Sequence, residues 1–304
     1  KLSSFASPIL HRMSYSIGVM STRGIGPERG GRQRNEDNYL VCHAGEASYL
    51  REGSVITEKR DGVGSMIAVC DGMGGHQAGD LASFTAARAL TRLYQKDLPS
   101  APARAMLRFV KETHNQLHWK IRERGEVKLG TTLTACWIIH GHAAWVHVGD
   151  SRLYLIRDLD TFQLSPDHTR NEFFSRDGKS NVAGGDHLAQ SYIYGSRGLG
   201  DDASLRLEYG LDASIEKLHG GDRLLLCSDG FSGVVSAEQM KEILSQHPNS
   251  QDAANACVER AINEGSTDNI TVAVVTIPKH VTFDDVPDSI SLDDEWEEES
   301  TVLF

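Results

Sequence analysis

Short apolar runs rich in Val, Ile, Leu, Thr and Trp recur along the chain at 15–20, 38–43, 65–70, 131–139, 143–149, 152–157, 222–228 and 270–277. Runs of this length and composition, bounded by polar or glycine-containing stretches, predict buried β-strands. Between them the hydrophobic period lengthens. Over 78–94, Ala82, Ala86, Ala89, Leu90 and Leu93 recur at three- and four-residue steps, which predicts a helix. A second helix is predicted over 102–124, with Pro102 in its first turn and Gly125 as its stop. Ser236 opens a third, with Glu238 and Gln239 in its first turn, and 251–263 form a fourth that stops near Gly265. Strands, two helices, strands, two helices and a last strand do not repeat as βαβ units. The order fits the α+β class: two packed, mainly antiparallel sheets with a helix pair outside each, a four-layer αββα sandwich.

Five acidic residues sit at the ends of these runs. Asp37 precedes 38–43, Asp71 follows 65–70, Asp150 follows 143–149, Asp229 follows 222–228, and Asp268 precedes 270–277. A carboxylate at the end of a buried strand is costly unless something pairs with it, and the basic residue that stands near them is Arg32. The pattern points to a missing positive charge. Clusters of carboxylate oxygens hold hard divalent cations, Mg2+ or Mn2+, at sites where a metal activates water or grips phosphate. Taken singly each piece is weak: DGMGG at 71–75 by itself reads first as a strand-to-helix turn, and GDS at 149–151 as a hairpin turn.

Taken together the segments are specific. RQRNED (32–37), VCDGMGGHQAGD (69–80), GTTLTA (130–135), VGDSRLYLI (148–156), LSPDHT (164–169), SRGLGD (196–201), LLLCSDGFSGVV (224–235) and STDNITVAVV (266–275) occur in that order. Over roughly 15–277 the chain resembles the metal-dependent protein phosphatases, the type 2C serine/threonine phosphatases, in their bacterial form. The resemblance implies the same αββα sandwich and hydrolysis of phosphoserine and phosphothreonine on proteins by water activated between two Mg2+ or Mn2+ ions. It makes Asp71 the carboxylate shared by both ions, with the Gly72 carbonyl as a further ligand. Asp37, Asp229 and Asp268 match the remaining ligands, and Glu36 would hold a metal-bound water. Asp150, with Asp229, would bind a third ion seen in bacterial members. Asn269 stands beside a ligand as a supporting amide. Thr132 is either a partner of a metal-bound water or a plain strand residue.

For phosphate the spacing RxxNED selects Arg32 over Arg34. A guanidinium matches phosphate oxygens bidentately and keeps its charge at working pH. Met73 stands where eukaryotic relatives carry a His proposed as general acid, and a thioether donates no proton. His76, three residues on, or a metal-bound water is left for that role. Gly233 likewise replaces an Asp of some relatives. Residues 175–196 fall where the family carries a flap beside its active site, and their sequence departs from the usual pattern.

Composition narrows the alternatives. The 304 residues are 39% hydrophobic, enough for one large core, and nothing between 15 and 277 resembles a linker. One phosphatase unit is expected over 14–279, preceded by an extension or cloning remnant at 1–13 and followed by an acidic disordered tail at 280–304. The formal net charge is −11, and the stretch from Thr282 onward carries nine acidic residues and no Lys or Arg, which leaves about −2 elsewhere. No basic groove for nucleic acid is expected. A two-metal nuclease would need one, and a regulatory or sensor domain of the same fold would have lost ligands that here all remain. No apolar stretch is long enough to span a bilayer, and the N-terminus lacks a signal-type apolar region. Five cysteines without a CxxC predict buried reduced thiols in a cytoplasmic protein. A monomer is expected, acting on phosphoproteins such as a Ser/Thr kinase and its targets.

Overall fold

The computed structural model describes residues 15–73, 78–95, 99, 101–124, 129–158, 160–168, 192–195 and 212–281. Two large sheets carry the fold. The first orders β1 (Ser16–Thr22), β15 (Ile270–Thr276), β14 (Arg223–Cys227), β10 (Arg152–Arg157) and β11 (Asp160–Gln163) side by side. The second orders β13 (Asp212–Lys217), β9 (His142–Val148), β8 (Leu133–Ile139), β5 (Ser65–Cys70), β2 (Asn38–His43), β3 (Glu46–Arg51) and β4 (Ser54–Lys59). Every pairing in both sheets is antiparallel. A small third sheet joins β6 (Gly72–Met73), β7 (Leu129–Thr131) and β12 (Tyr192–Gly195).

Alternation of side chains along each strand distributes the apolar residues into three layers. Ile67, Val69, Cys136, Ile138 and Trp145 of the larger sheet meet Leu153, Leu155, Leu224, Leu226, Ala273 and Val275 of the other between the two sheets. The opposite faces are also covered. Met66, Ala68, Ala135 and Trp137 lie under α1 (Ala78–Leu90) and α2 (Pro102–Arg124), packing with Ala82, Ala86, Leu90, Met106 and Val110. Leu225, Cys227, Val272 and Val274 lie under α4 (Ala237–Gln246) and α5 (Ser250–Asn263), packing with Met240, Ile243, Leu244 and Val258. Between β14 and α4 runs a single-turn helix, α3 (Asp229–Ser232). Central strands are therefore buried on both faces, which is why they read as continuous apolar runs. The four-layer αββα sandwich is the observed architecture.

The differences from the sequence reading are local. The run 131–139 is two strands, broken at Thr132, because the chain there leaves the small sheet for the large one while the Thr132 N–H donates to the Asp71 carbonyl, 2.9 Å. The helix expected over 78–94 ends at Leu90. Tyr94 still packs inward, its hydroxyl donating to the Gly64 carbonyl at 2.9 Å. β3, β4, β11, β12 and β13 were not foreseen; β4, SVITEK, lies at an exposed sheet edge and alternates weakly. A further edge strand, β1, is protected: the Gln251 side-chain amide accepts from Val19 N–H and donates to Val19 C=O, which covers an open pairing position. Ser236 opens α4 with a reciprocal capping box to Gln239.

All five cysteines are buried and unpaired. Among the described residues no helix is long and apolar enough to cross a membrane. The extension at 1–13 and the tail beyond Val281 lie outside the described residues.

Candidate metal centre

Antiparallel pairing brings the acidic positions to one end of the sandwich. β2 starts beside the end of β5, Asn38 facing Cys70, so Asp37 and Asp71 leave neighbouring strands at the same edge. In the other sheet the end of β14 faces the start of β15, Cys227 against Val272, so Asp229 and Asp268 do the same. β9 ends at Val148 opposite the start of β8, which adds Asp150 to that end. Asp229 is the first residue of α3 rather than the end of a strand.

Burial and mutual repulsion hold Asp37, Asp71, Asp150 and Asp229 toward their neutral forms. Asp37 is 3% exposed. Its Oδ2 accepts hydrogen bonds from Ser228 Oγ and Thr271 Oγ1, both 2.8 Å, while its Oδ1 is buried without a partner. Burial pushes Asp37 up to about 7 against those two hydrogen bonds, and Asp229 and Asp268 add to the rise. Asp71 is raised well above the usual carboxylate range by burial, then by Asp37, Asp229 and Asp150. Asp150 is pushed to about 7 by burial and by Asp229 and Asp167. Asp229 is raised by burial despite a hydrogen bond shared with Asp71. Two carboxylates in such contact require a proton or a cation between them.

The donor set is oxygen-only, and the orphaned Asp37 Oδ1 is an acceptor with nothing to accept, so the residues present fit a hard divalent cation. Among the described residues no three His, Cys, Asp or Glu side chains already converge as a cage. Asp71 and Asp229 are turned on each other, and Asp268 faces Arg32. That pair is bidentate: Arg32 Nε donates to Asp268 Oδ1 and Nη2 to Oδ2, both at 2.7 Å. The Arg32 side chain is nevertheless 59% exposed, and Asp268, Asp71 and Glu36 favour its charge.

Close backbone packing sets the approach of the other elements. A Cβ at Gly72 would collide with the carbonyl oxygens of Gly79 and Glu36, so only glycine lets the β5–β6 turn, the start of α1 and the Glu36 backbone meet. Asn269 fixes the strand before β2. Its Oδ1 accepts from Glu36 N–H at 2.8 Å and its Nδ2 donates to the Arg34 carbonyl at 2.8 Å. Arg34 itself is exposed.

Thr132 does more than fill a strand. Its Oγ1 accepts from Asp71 N–H at 2.9 Å and shares a 2.7 Å hydrogen bond with Ser151 Oγ, which ties the Asp71 turn to the Asp150 turn. A buried histidine pair holds the latter. Gly149 N–H donates to His168 Nδ1 at 3.0 Å, and Gly149 C=O accepts from His168 N–H at 2.7 Å and faces His147 Nε2 at 3.1 Å. His147 Nδ1 lies 2.9 Å from Thr134 Oγ1, and both rings are 0% exposed. Ser151, His147, His168, Ser228 and Thr271 went unassigned in the sequence. Their signal was a polar residue inside an apolar run, as in LCSD, NITV and WVHVGD, and the His of LSPDHT. His76 and the flap positions before Tyr192 lie outside the described residues.

A family model described as protein phosphatase 2C matches residues 55–264. The chain belongs to the protein phosphatase 2C family. Among curated family relatives, serine/threonine protein phosphatase PstP of Mycobacterium tuberculosis is 32% identical over 214 residues, 70% of this chain and 40% of that protein. The chain thus spans less than half the length of that relative. Protein phosphatase PhpP of Streptococcus pneumoniae is 30% identical over 216 residues, 70% of this chain and 86% of the relative. Of the solved family structures, the catalytic domain of PstP in complex with two manganese ions superposes with a TM-score of 0.66 at 28% identity, covering 87% of this chain and 98% of that one. A serine/threonine phosphatase of S. agalactiae superposes at 0.69 and 22% identity over 87% and 100% of the two chains, a likeness of fold.

Proposed function

We propose that this chain is a metal-dependent phosphatase of phosphoserine and phosphothreonine in proteins. The observation that carries the reading is the pole where Asp37, Asp71, Asp150 and Asp229 are raised by burial and by neighbouring carboxylates, with Asp37 Oδ1 unpartnered and Asp268 held by an exposed guanidinium. The activities named for PstP and PhpP support it, as do the two manganese ions bound by PstP. Asp37, Asp71, Asp229 and Asp268, with the Gly72 carbonyl, would hold two Mg2+ or Mn2+ ions; Glu36 would support a water there, and Asp150 with Asp229 would hold a third ion. Bound divalent ions supply Lewis acidity toward a phosphoryl group and make water a better nucleophile at neutral pH.

The chain's own residues do the rest. Arg32 offers a planar pair of donors that, released from Asp268, binds two phosphoryl oxygens and stabilises charge as it builds up on them. Ser228 and Thr271 fix the orientation of Asp37, and Asn269 fixes the backbone that carries Arg34, Glu36 and Asp37. The Thr132–Ser151 bridge keeps the Asp71 and Asp150 turns in register. A poor alkoxide leaving group needs a proton, from His76 or from water. The functional unit is 14–279, a cytoplasmic monomer acting on phosphoproteins that include a Ser/Thr kinase and its targets.

Phosphate release from a phosphothreonine peptide tests the reading. Release should require Mg2+ or Mn2+ and stop on chelation, and the same preparation should leave plasmid DNA intact. Full activity after exhaustive metal removal, or nicking of the plasmid without peptide turnover, would overturn it.

A further inference from the structure

The loop from β1 to β2 carries four arginines, Arg23, Arg29, Arg32 and Arg34, and one acid, Glu28, before Asn35. All four arginines are exposed. Arg32 is committed to Asp268; Arg23, Arg29 and Arg34 have no ion pair among the described residues. Glu28 is folded back over Gly26, where an added Cβ would stand 2.6 Å from its Oε1. Outside the acidic tail the chain is close to neutral, so this loop is a local excess of positive charge.

The loop is held in place against the acidic centre. Gly24 has φ +75, and a Cβ on it would strike the Asp268 carbonyl oxygen. Asn35 Nδ2 donates to Ser21 Oγ at 2.9 Å, closing the loop across its base. Asn269 Nδ2 holds the Arg34 carbonyl at 2.8 Å. Within the loop, Gly31 N–H donates to Gly26 C=O at 2.8 Å and Gly30 N–H to Pro27 C=O at 3.1 Å. The backbone beside Arg23 is therefore fixed against Asp268 and that of Arg34 against Asn269, and Arg29 stands on the closed turn between them in the chain. Pinned backbone lowers the ordering cost of presenting these groups to a ligand.

We infer that this loop is a substrate-reading rim: it selects phosphoproteins in which further anionic groups, Asp and Glu carboxylates or a second phosphate, flank the phosphoserine or phosphothreonine that occupies the centre. The inference rests on the phosphatase reading above. Guanidinia bind carboxylates and phosphates by the same forked geometry, and charge complementarity at an exposed rim acts through capture and is screened by salt.

The test uses the full chain loaded with Mn2+ and three phosphothreonine peptides of equal length, flanked by Asp and Glu, by Asn and Gln, or by a second phosphothreonine. At low ionic strength, kcat/KM for at least one anionic peptide should exceed that for the neutral one about three- to tenfold, the sum of a few exposed ion pairs. The advantage should shrink toward unity at about 0.3 M salt. The double variant R23Q/R29Q should lose most of it while hydrolysing the neutral peptide at the wild-type rate, and R34Q should lose part. Whichever anionic peptide is preferred names the source of the charge. Equal kcat/KM for all three peptides, or a preference untouched in R23Q/R29Q, would overturn the rim. Absence of turnover on every peptide would instead overturn the phosphatase reading.

Discussion

Asp37→Asn should stabilise the metal-stripped protein at alkaline pH and leave it unchanged at acidic pH. Burial raises the Asp37 carboxyl from 3.8 to about 7, so the folded chain holds a proton that the unfolded chain releases. Through the window from about pH 4 to about pH 7, stability therefore falls as pH rises, and it is lowest above pH 7. Three pKa units correspond to a ceiling of about 4 kcal/mol at roughly 1.4 kcal/mol per unit. Hydrogen bonds from Ser228 and Thr271 at 2.8 Å already offset part of the charge penalty; what remains comes from burial with Oδ1 unpartnered and from Asp229 and Asp268. An Asn side chain keeps one acceptor for both hydroxyls and carries no charge, but places an amide NH2 where the orphan oxygen stood. The expected gain is on the order of 2–4 kcal/mol at pH 8 and under about 1 kcal/mol at pH 4.5. Urea unfolding of chelator-treated protein, followed by the fluorescence of buried Trp137 and Trp145, reads both variants at both pH values. Added Mn2+ should favour the wild type, about 2.7 kcal/mol at a hundredfold excess over Kd, and Asp37→Asn much less. Stripped wild-type protein as stable at pH 8 as at pH 4.5, or an Asn variant less stable than wild type at pH 8, would refute the reasoning.

Arg32→Lys keeps the charge but not the fork, and should cost roughly 1–3 kcal/mol of transition-state stabilisation in kcat/KM, whereas Arg34→Lys should match wild type on a neutral phosphopeptide. His168→Ala leaves the buried Gly149 N–H without its 3.0 Å acceptor; a loss of about 1–3 kcal/mol in thermal unfolding is expected, together with weaker Mn2+ binding by calorimetry, and unchanged unfolding would dismiss the histidine clamp. His76→Ala should slow phosphopeptide hydrolysis more than p-nitrophenyl phosphate hydrolysis, because a phenolate leaves without a proton; equal losses on both substrates would assign the proton to water.

The parts of the fold that were legible are those in which burial leaves a one-dimensional trace. Central strands covered on both faces read as unbroken apolar runs, and a helix lying on a sheet reads as the four-residue repeat at Ala82, Ala86 and Leu90. β3, β4 and β13 were illegible because edge or near-edge strands mix polar and apolar residues and owe their extended form to pairing with a neighbour. α3 is a single turn, too short for any period to show.

The site divides in the same way. The chain order of Asp37, Asp71, Asp150, Asp229 and Asp268, each at a run's end, was enough to expect one acidic centre, because a strand-end carboxylate needs a partner wherever it sits. Sequence also marked Arg32 and the glycine at 72 as residues whose chemistry, or lack of a side chain, matters. Only the tertiary structure decided which carboxylates touch: Asp71 on Asp229, Asp268 on Arg32, and Asp37 on Ser228 and Thr271 with one oxygen left over. It likewise drew His147 and His168 onto the Gly149 peptide and set the Gly24 backbone against Asp268 and that of Arg34 against Asn269. Periodicity records how much water a residue loses, a property of its own segment. Side-chain hydrogen-bond partners and charge neighbours come from segments up to 250 positions apart, and antiparallel pairing across two sheets is what brings them together.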